Sequence, residues 1–294
     1  MVDGVAAPLI RYRTGLTDST RWEVVKLRAD DIVISTPSKC GTTWMQMICA
    51  LLVFGDPALP APLTALSPWV DLSLRPEAEQ VELLERQEHR RFLKTHTPLD
   101  GLPWRDGVSY VVVARDPRDV AVSMAHHRAN LNAQVVPGAE RTMAGWPEVV
   151  DRIRGWIEDD RPPHLNLSSL TGTAWHLRGA WERRSDPGVL LIHHADLVAD
   201  LEGEMRRLAT ALGTPVAEAV WPELVVAATF SSMRARSAAL APNEGLGLLK
   251  DDAAFFRSGE PGQWRHAFTP AVLTTYDARI RTLLPADLIT WLHR

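Results

Sequence analysis

Residues 110–115 read Tyr-Val-Val-Val-Ala-Arg, apolar at almost every position and ending on a guanidinium. A strand with one wet face alternates apolar and polar side chains. A strand without that alternation is buried on both faces, which is the habit of a parallel sheet covered by helices. The rest of the chain agrees. Runs at 31–35, 91–96 ("RFLKTH") and 189–194 ("VLLIHH") read as further strands. Apolar spacing and cap residues predict helices at about 42–54, 76–90, 117–130, 146–158, 170–184, 198–212 and 270–283. The proline-rich stretch Pro57 to Pro68 reads as loop, and no repeat or long linker divides the chain. The expected fold class is therefore α/β, a single domain over 1–294 with a central parallel β-sheet flanked by helices. Ligands in such folds lie beyond the carboxyl ends of the strands, which directs attention to residues 36–44, 94–98 and 115–123.

The first of these is "STPSKCGTTW" (35–44), a glycine-containing turn between a strand and a helix, where backbone N–H groups commonly hold phosphate. The usual phosphate loop places its lysine directly after a glycine. Here no lysine does so, which excludes a standard ATP or GTP loop. What remains is a turn in which Gly41 permits close backbone approach, Thr42 and Thr43 offer hydroxyls, and Lys39 supplies a compact charge. An ordinary strand-to-helix turn would look similar. Lysine is scarce, however: only Lys26, Lys39, Lys94 and Lys250 occur among 32 basic residues.

The second segment sets His96 two residues after Lys94, on one face of a strand by its two-residue period. A lone histidine at a strand end can be a structural hydrogen-bonder. A base and a cation side by side also suit deprotonation of a hydroxyl near an anionic donor. In the third segment Arg115 emerges at the ligand side and Ser123 lies two turns into the following helix. Arg115 could equally pair with Asp116 or Asp119 and have no ligand role.

Taken together these segments resemble the cytosolic sulfotransferase family, which moves a sulfuryl group from 3′-phosphoadenosine 5′-phosphosulfate (PAPS) to a hydroxyl or amine. "SKCGTTW" is similar to the family loop P-K-S-G-T-T-W, "KTH" at 94–96 matches its strand end, and Arg115 to Ser123 match R-x-x-x-D-V-A-V-S. A fourth match, "FFRSGEPGQWRHAFT" (255–269), looks like F-x-R-K-G-x-x-G-D-W-K-x-x-F-T. The resemblance implies a P-loop NTPase-like sulfotransferase fold. It implies that Lys39, Cys40, Gly41, Thr42 and Thr43 bind the 5′-phosphosulfate and that Trp44 stacks on adenine beside Phe230. Arg115, Ser123, Arg257, Ser258 and Gly259 would surround the 3′-phosphate, with Ser258 replacing a family lysine. His96 would be the general base, Lys39 would stabilise the leaving oxygen, and Lys94 would orient the sulfuryl group. His194 falls where many members carry an adenine-contacting tyrosine, although a core role for His193 or His194 is nearly as consistent with the sequence. The implied scheme requires no metal. The vertebrate dimer motif would fall on Arg265 to Thr274, where Pro270 and Thr274 replace its valine and glutamate, so the resemblance does not extend to that contact.

The acceptor is not legible. Phenols, alcohols and glycolipids are all used within the family, and Phe54, Trp69, Met124, Leu131 and Trp146 are candidates for an apolar acceptor wall. A silent nucleotide-binding homologue and a phosphotransferase with an atypical loop stay as alternatives. A net charge of −4 gives no basic field for nucleic acid, so any anion site must be built locally. His126-His127 and His193-His194 lack metal-ligand spacing. Cys40 and Cys49 form no CxxC pair, and no apolar run is long enough for a signal peptide or membrane span. The expectation is a cytoplasmic protein without a transmembrane segment.

Overall fold

In the computed structural model, which describes residues 5–137, 139, 148–243 and 245–294, four strands form one parallel sheet. They are β1 (Ile32–Ser35), β2 (Phe92–Thr95), β3 (Ser109–Ala114) and β4 (Val189–His193), in the order β2-β1-β3-β4. Ile34 lies opposite Lys94 on one side and Val111 on the other, and Ala114 lies opposite His193. The chain leaves β1 toward β2 on one flank and later returns to β3 on the other. The carboxyl ends of β1 and β3 therefore face a topological switch point, where a crevice opens.

The strand period distributes side chains to two cores. Val33, Leu93, Tyr110 and Val112 pack on one face, with helices α3 (Pro117–Asn130), α4 (Val149–Glu158), α5 (Leu170–Glu182) and α10 (Pro270–Leu283). Ile32, Ile34, Val111 and Val113 pack on the other, against α1 (Thr42–Phe54), α7 (Leu201–Leu212) and α8 (Trp221–Ala228). The absence of alternation in β3 thus has its expected cause, since both of its faces are dry.

Several boundaries differ from the sequence expectation. The loop at 57–68 contains a helical turn, Leu63–Leu66, whose two leucines are buried. The charged helix α2 runs only over Glu77–Glu85, and Gln80 and Leu84 on it are buried. The helix expected at 198–212 is two, α6 (His194–Ala199) and α7, because the Asp200 carboxylate accepts the Gly203 N–H at 2.9 Å and starts a new helix. Helices α8 and α9 (Phe230–Ala235) were not expected. Each is under three turns long and Thr229 interrupts them, so neither displays a full apolar period. Near the N-terminus Val5–Ala6 pairs antiparallel with Trp104–Arg105. Among the described residues no helix is long and apolar enough to cross a membrane.

Candidate functional site

The turn after β1 carries the site's most unusual backbone. Lys39 adopts φ 69°, a left-handed conformation that costs a non-glycine residue roughly 1–2 kcal/mol, and Gly41 adopts φ 114°. A Cβ at Gly41 would come within 3.4 Å of His194 and 3.6 Å of Val113. Gly41 is the N-cap of α1 and no side chain caps the helix. The first N–H groups, at Thr42 to Trp44, have no intrahelical acceptor, and the buried Thr42 Oγ1 has no hydrogen-bond partner. Donors without acceptors at the positive end of a helix are suited to an anion.

Four cations converge on this turn. The Lys39 ammonium sits 4.0 Å from the centroid of the Phe255 ring, and Lys94 sits 4.0 Å from that of Trp69. Burial, then the charges of Arg115, Lys94 and Arg257, pull the Lys39 pKa down to about 7. The buried Arg115 lies between two loops, with Nη1 3.4 Å from the Lys39 carbonyl and Nη2 3.3 Å from that of Glu260. Its Nε has no partner.

Neither aspartate suggested as a partner for Arg115 takes it. Asp116 caps α3 through the Arg118 N–H at 2.9 Å and pairs with the Arg118 guanidinium at 2.7 Å. Asp119 accepts the backbone N–H groups of Gly262 at 2.7 Å and Trp264 at 3.1 Å, so it anchors the segment that bears Arg257, Ser258 and Gly259. Gln263 braces the same segment through the Arg257 guanidinium, Ser258 Oγ and, at 2.7 Å, the Glu260 carbonyl. Gly259 has φ 71°, and a Cβ there would meet the Phe230 ring at 2.5 Å. Replacing Asp119 with alanine releases both N–H groups. The expected result is a roughly tenfold or greater loss of affinity for adenosine 3′,5′-bisphosphate (PAP), given 1.5–3 kcal/mol per charge-assisted bond. Isothermal titration checks it, and unchanged affinity would show that the anchor is not needed.

At the end of β2, His96 turns into the same space. Its Nδ1 is 2.6 Å from the Thr36 carbonyl. A carbonyl only accepts, so Nδ1 carries the proton and Nε2 keeps a lone pair. Burial, then Lys94, pushes the His96 pKa down to about 3 against the opposing pull of Thr36, so the ring is neutral at neutral pH. The Trp69 ring stands edge-on to it at 5.0 Å and also contacts Lys94, which brings Lys94 and His96 of the "KTH" motif to one wall.

These groups border one cavity of about 740 Å³. Lys39, Gly41, Thr42, Thr43, Trp44, Lys94, His96, Arg115, Ser123, His194, Phe230, Arg257, Ser258 and Gly259 all reach it. Cys40 does not. Its N–H is bonded to the Pro37 carbonyl at 3.2 Å, its side chain is fully buried in the core, and burial raises its thiol pKa to about 12. Trp44 is fixed by donating Nε1–H to the Ala228 carbonyl at 2.8 Å, with His194 edge-on at 5.3 Å. The two histidines differ in what they meet. His193 is buried and accepts the Ala195 N–H at 3.1 Å, whereas His194 faces the cavity at the start of α6.

On the far side the wall turns apolar, with Leu16, Met124, Leu131, Val136, Leu248 and Leu249. Of the candidates for that wall, Met124 and Leu131 lie on it, and Trp69 lines the cavity beside Lys94 and His96. Phe54 packs instead against His89 and Phe92, and Trp146 lies outside the described residues. The segment around Leu248 to Lys250 is held to the end of α3: Lys250 N–H donates to Asn130 O at 2.8 Å and Asn132 N–H to Leu248 O at 2.9 Å. Sequence reasoning missed Phe255, His127 and the anchoring role of Asp119. His127 lies four residues past Ser123, a spacing that places both on one helix face.

Comparison with known proteins accords with this geometry. Residues 29–287 match the family model described as Sulfotransferase domain. The chain is 42% identical to the glycolipid sulfotransferase of Mycobacterium tuberculosis, over 96% of this chain and 93% of that protein. It is 26% identical to sulfotransferase 1 family member D1 of Rattus norvegicus, over 85% and 81% of the two chains. A retinol dehydratase structure with retinol and PAP superposes with a TM-score of 0.70 at 24% identity, over 91% of this chain and 84% of that one. Mouse SULT7A1 with PAP gives 0.71 at 20% identity, over 93% and 90%. The family model spans the whole four-stranded sheet and both loops of the site, and the chain belongs to the sulfotransferase family.

Proposed function

We propose that this chain transfers the sulfuryl group of PAPS to a hydroxyl of a glycolipid acceptor, with His96 as the base. The observation that carries the reading is the neutral His96, its tautomer set by Thr36, opening on a cavity that also gathers Lys39, Lys94, Arg115 and Arg257. A general base must be unprotonated and aimed, and this ring is both.

PAPS supplies the activated sulfuryl group. The residues that would hold it follow from the donors present. The N–H groups at the start of α1 and the Thr42 and Thr43 hydroxyls suit the 5′-phosphate, with Lys39 at the oxygen between phosphorus and sulfur. Arg115, Ser123 and Arg257 suit the 3′-phosphate, with the Ser258–Gly259 turn closing over it. The orphaned Thr42 Oγ1 and Arg115 Nε fit that assignment, since each is a buried polar atom that a phosphate oxygen would satisfy. Trp44 and Phe230 offer faces for a base. Cys40 keeps the turn packed and contributes no side-chain contact.

The acceptor reading rests on the wall opposite. Its leucines, valine and methionine match an alkyl chain, and the similarity to a glycolipid sulfotransferase points the same way. Each methylene buried there would contribute about 0.8 kcal/mol. Incubation with ³⁵S-labelled PAPS and long-chain alkyl glycosides is expected to move label into the glycoside, at rates that rise with chain length. No transfer to any glycoside, with PAP binding intact, would overturn the acceptor assignment.

A further inference from the structure

His127 is a half-buried imidazole with a buried Nδ1, and the scheme above does not use it. It lies on α3 four residues beyond Ser123, and its ring borders the cavity. Its Nδ1 is buried with no hydrogen-bond partner. The ring meets Phe255 edge-on at 6.1 Å, and the Lys39 ammonium touches the same phenyl ring. His127 therefore shares the chamber where the transferred group and the acceptor must meet.

A structural histidine in a core normally spends its ring nitrogens on local partners, as His176 does on Ser35 and His193 on Leu292 and Ala195. Leaving one buried and unsatisfied is costly, and a leucine or phenylalanine of similar volume would pack there without that cost. Protonation offers no escape. Burial, then the nearby cations Lys39, Lys94 and Arg128, holds its pKa well below the ordinary histidine value. The neutral ring keeps one N–H and one lone pair. That pair of functions suits a hydroxyl, which accepts from one nitrogen or donates to the other.

His127 is poorly built to be a second base. The Thr36 carbonyl sets the tautomer of His96, while nothing comparable fixes that of His127. A ring free to take either tautomer is better suited to receiving a polar group than to removing a proton at a set position.

We propose that His127 is a specificity-determining residue that binds a second hydroxyl of the acceptor, beside the one that reacts at His96, and so selects sugar headgroups over simple alcohols and phenols. The inference rests on the reading of this cavity as an acceptor site. It goes further in requiring two polar oxygens at the reacting end, where phenol or alkanol chemistry needs one. A site built to hydrogen-bond a hydroxyl rejects the analogue that lacks it far more strongly than an apolar pocket rejects a missing methylene.

The test compares octyl β-glucopyranoside with 1-octanol at saturating PAPS, with the wild-type chain, His127→Phe and His127→Asn, each checked for PAP affinity by titration. For His127→Phe, kcat/KM on the glucoside is expected to fall about 30-fold or more, while that on octanol stays within about twofold and PAP affinity is unchanged. His127→Asn, which keeps a donor and an acceptor, should fall between. Equal losses on both acceptors would assign His127 a packing role and overturn the proposal. A weakened PAP affinity in the titration would place it on the donor and overturn it as well. If wild type sulfates the glucoside and His127→Phe does so equally, only this inference fails. If wild type does not sulfate the glucoside, the inference and the glycolipid reading fail together.

Discussion

Replacing His96 with alanine is expected to lower kcat by about 10²- to 10⁴-fold, the usual worth of a positioned general base, while PAP affinity stays within about twofold. The separation follows from the layout. His96 comes from the end of β2 and meets Trp69, whereas the donors suited to phosphate come from the turn after β1, the start of α3 and the segment beyond Phe255. His96→Gln sharpens the result. An amide still hydrogen-bonds but takes no proton at neutral pH, so an equal loss separates proton removal from positioning. The pH dependence has a definite sign. With its pKa near 3, His96 is neutral throughout pH 5–8, and its protonation produces no acid limb in kcat/KM in that window. Single-turnover measurements check both points. A variant retaining more than a tenth of wild-type turnover would remove His96 from the role.

The sheet and the loops at the ends of its strands were legible from local chemistry. An unbroken apolar run declares a strand buried on both faces, and Asp116-Pro117 declares a helix start because the carboxylate caps and the proline needs no N–H there. His96 and Arg115 stood out because each sits where a strand ends and Lys39 because lysine is scarce, whereas Arg257 followed only from the family resemblance. What the sequence concealed depends on contacts between segments far apart in the chain. That Asp119 would receive the N–H groups of Gly262 and Trp264 rather than Arg115 required the fold. Cys40 was placed with its binding neighbours by the family resemblance, yet with left-handed conformations on either side of it its side chain is buried in the core. His127 was weighed only as one of a pair. On a helix neighbouring residues point about 100° apart, so its useful partner was Ser123 rather than His126.

Lys39→Met should be the other severe loss, with kcat down about 10²- to 10³-fold, the scale for removing one group that stabilises charge on a departing oxygen. Methionine keeps much of the apolar stem and removes the ammonium that sits over Phe255. The variant should also carry a second signature. With the free-enzyme pKa near 7, Lys39 is mostly neutral at pH 8, and a phosphate brought beside it favours the ammonium. Wild-type binding of PAP at pH 8 should therefore take up close to one proton, and affinity should decline as pH rises above 7. Phosphate groups, with second pKa values near 6, are already ionised there and contribute little. Calorimetry in buffers of differing ionisation enthalpy counts the protons directly. Lys39→Met should bind PAP with almost no proton uptake and a flat pH profile between 7.5 and 9 (on the order of one unit of log Kd per pH unit being lost from the wild-type slope). Uptake that persists in the variant would locate the titrating group elsewhere. Absence of uptake in wild type would mean that Lys39 is already charged before the donor arrives, its crowding by Arg115, Lys94 and Arg257 notwithstanding.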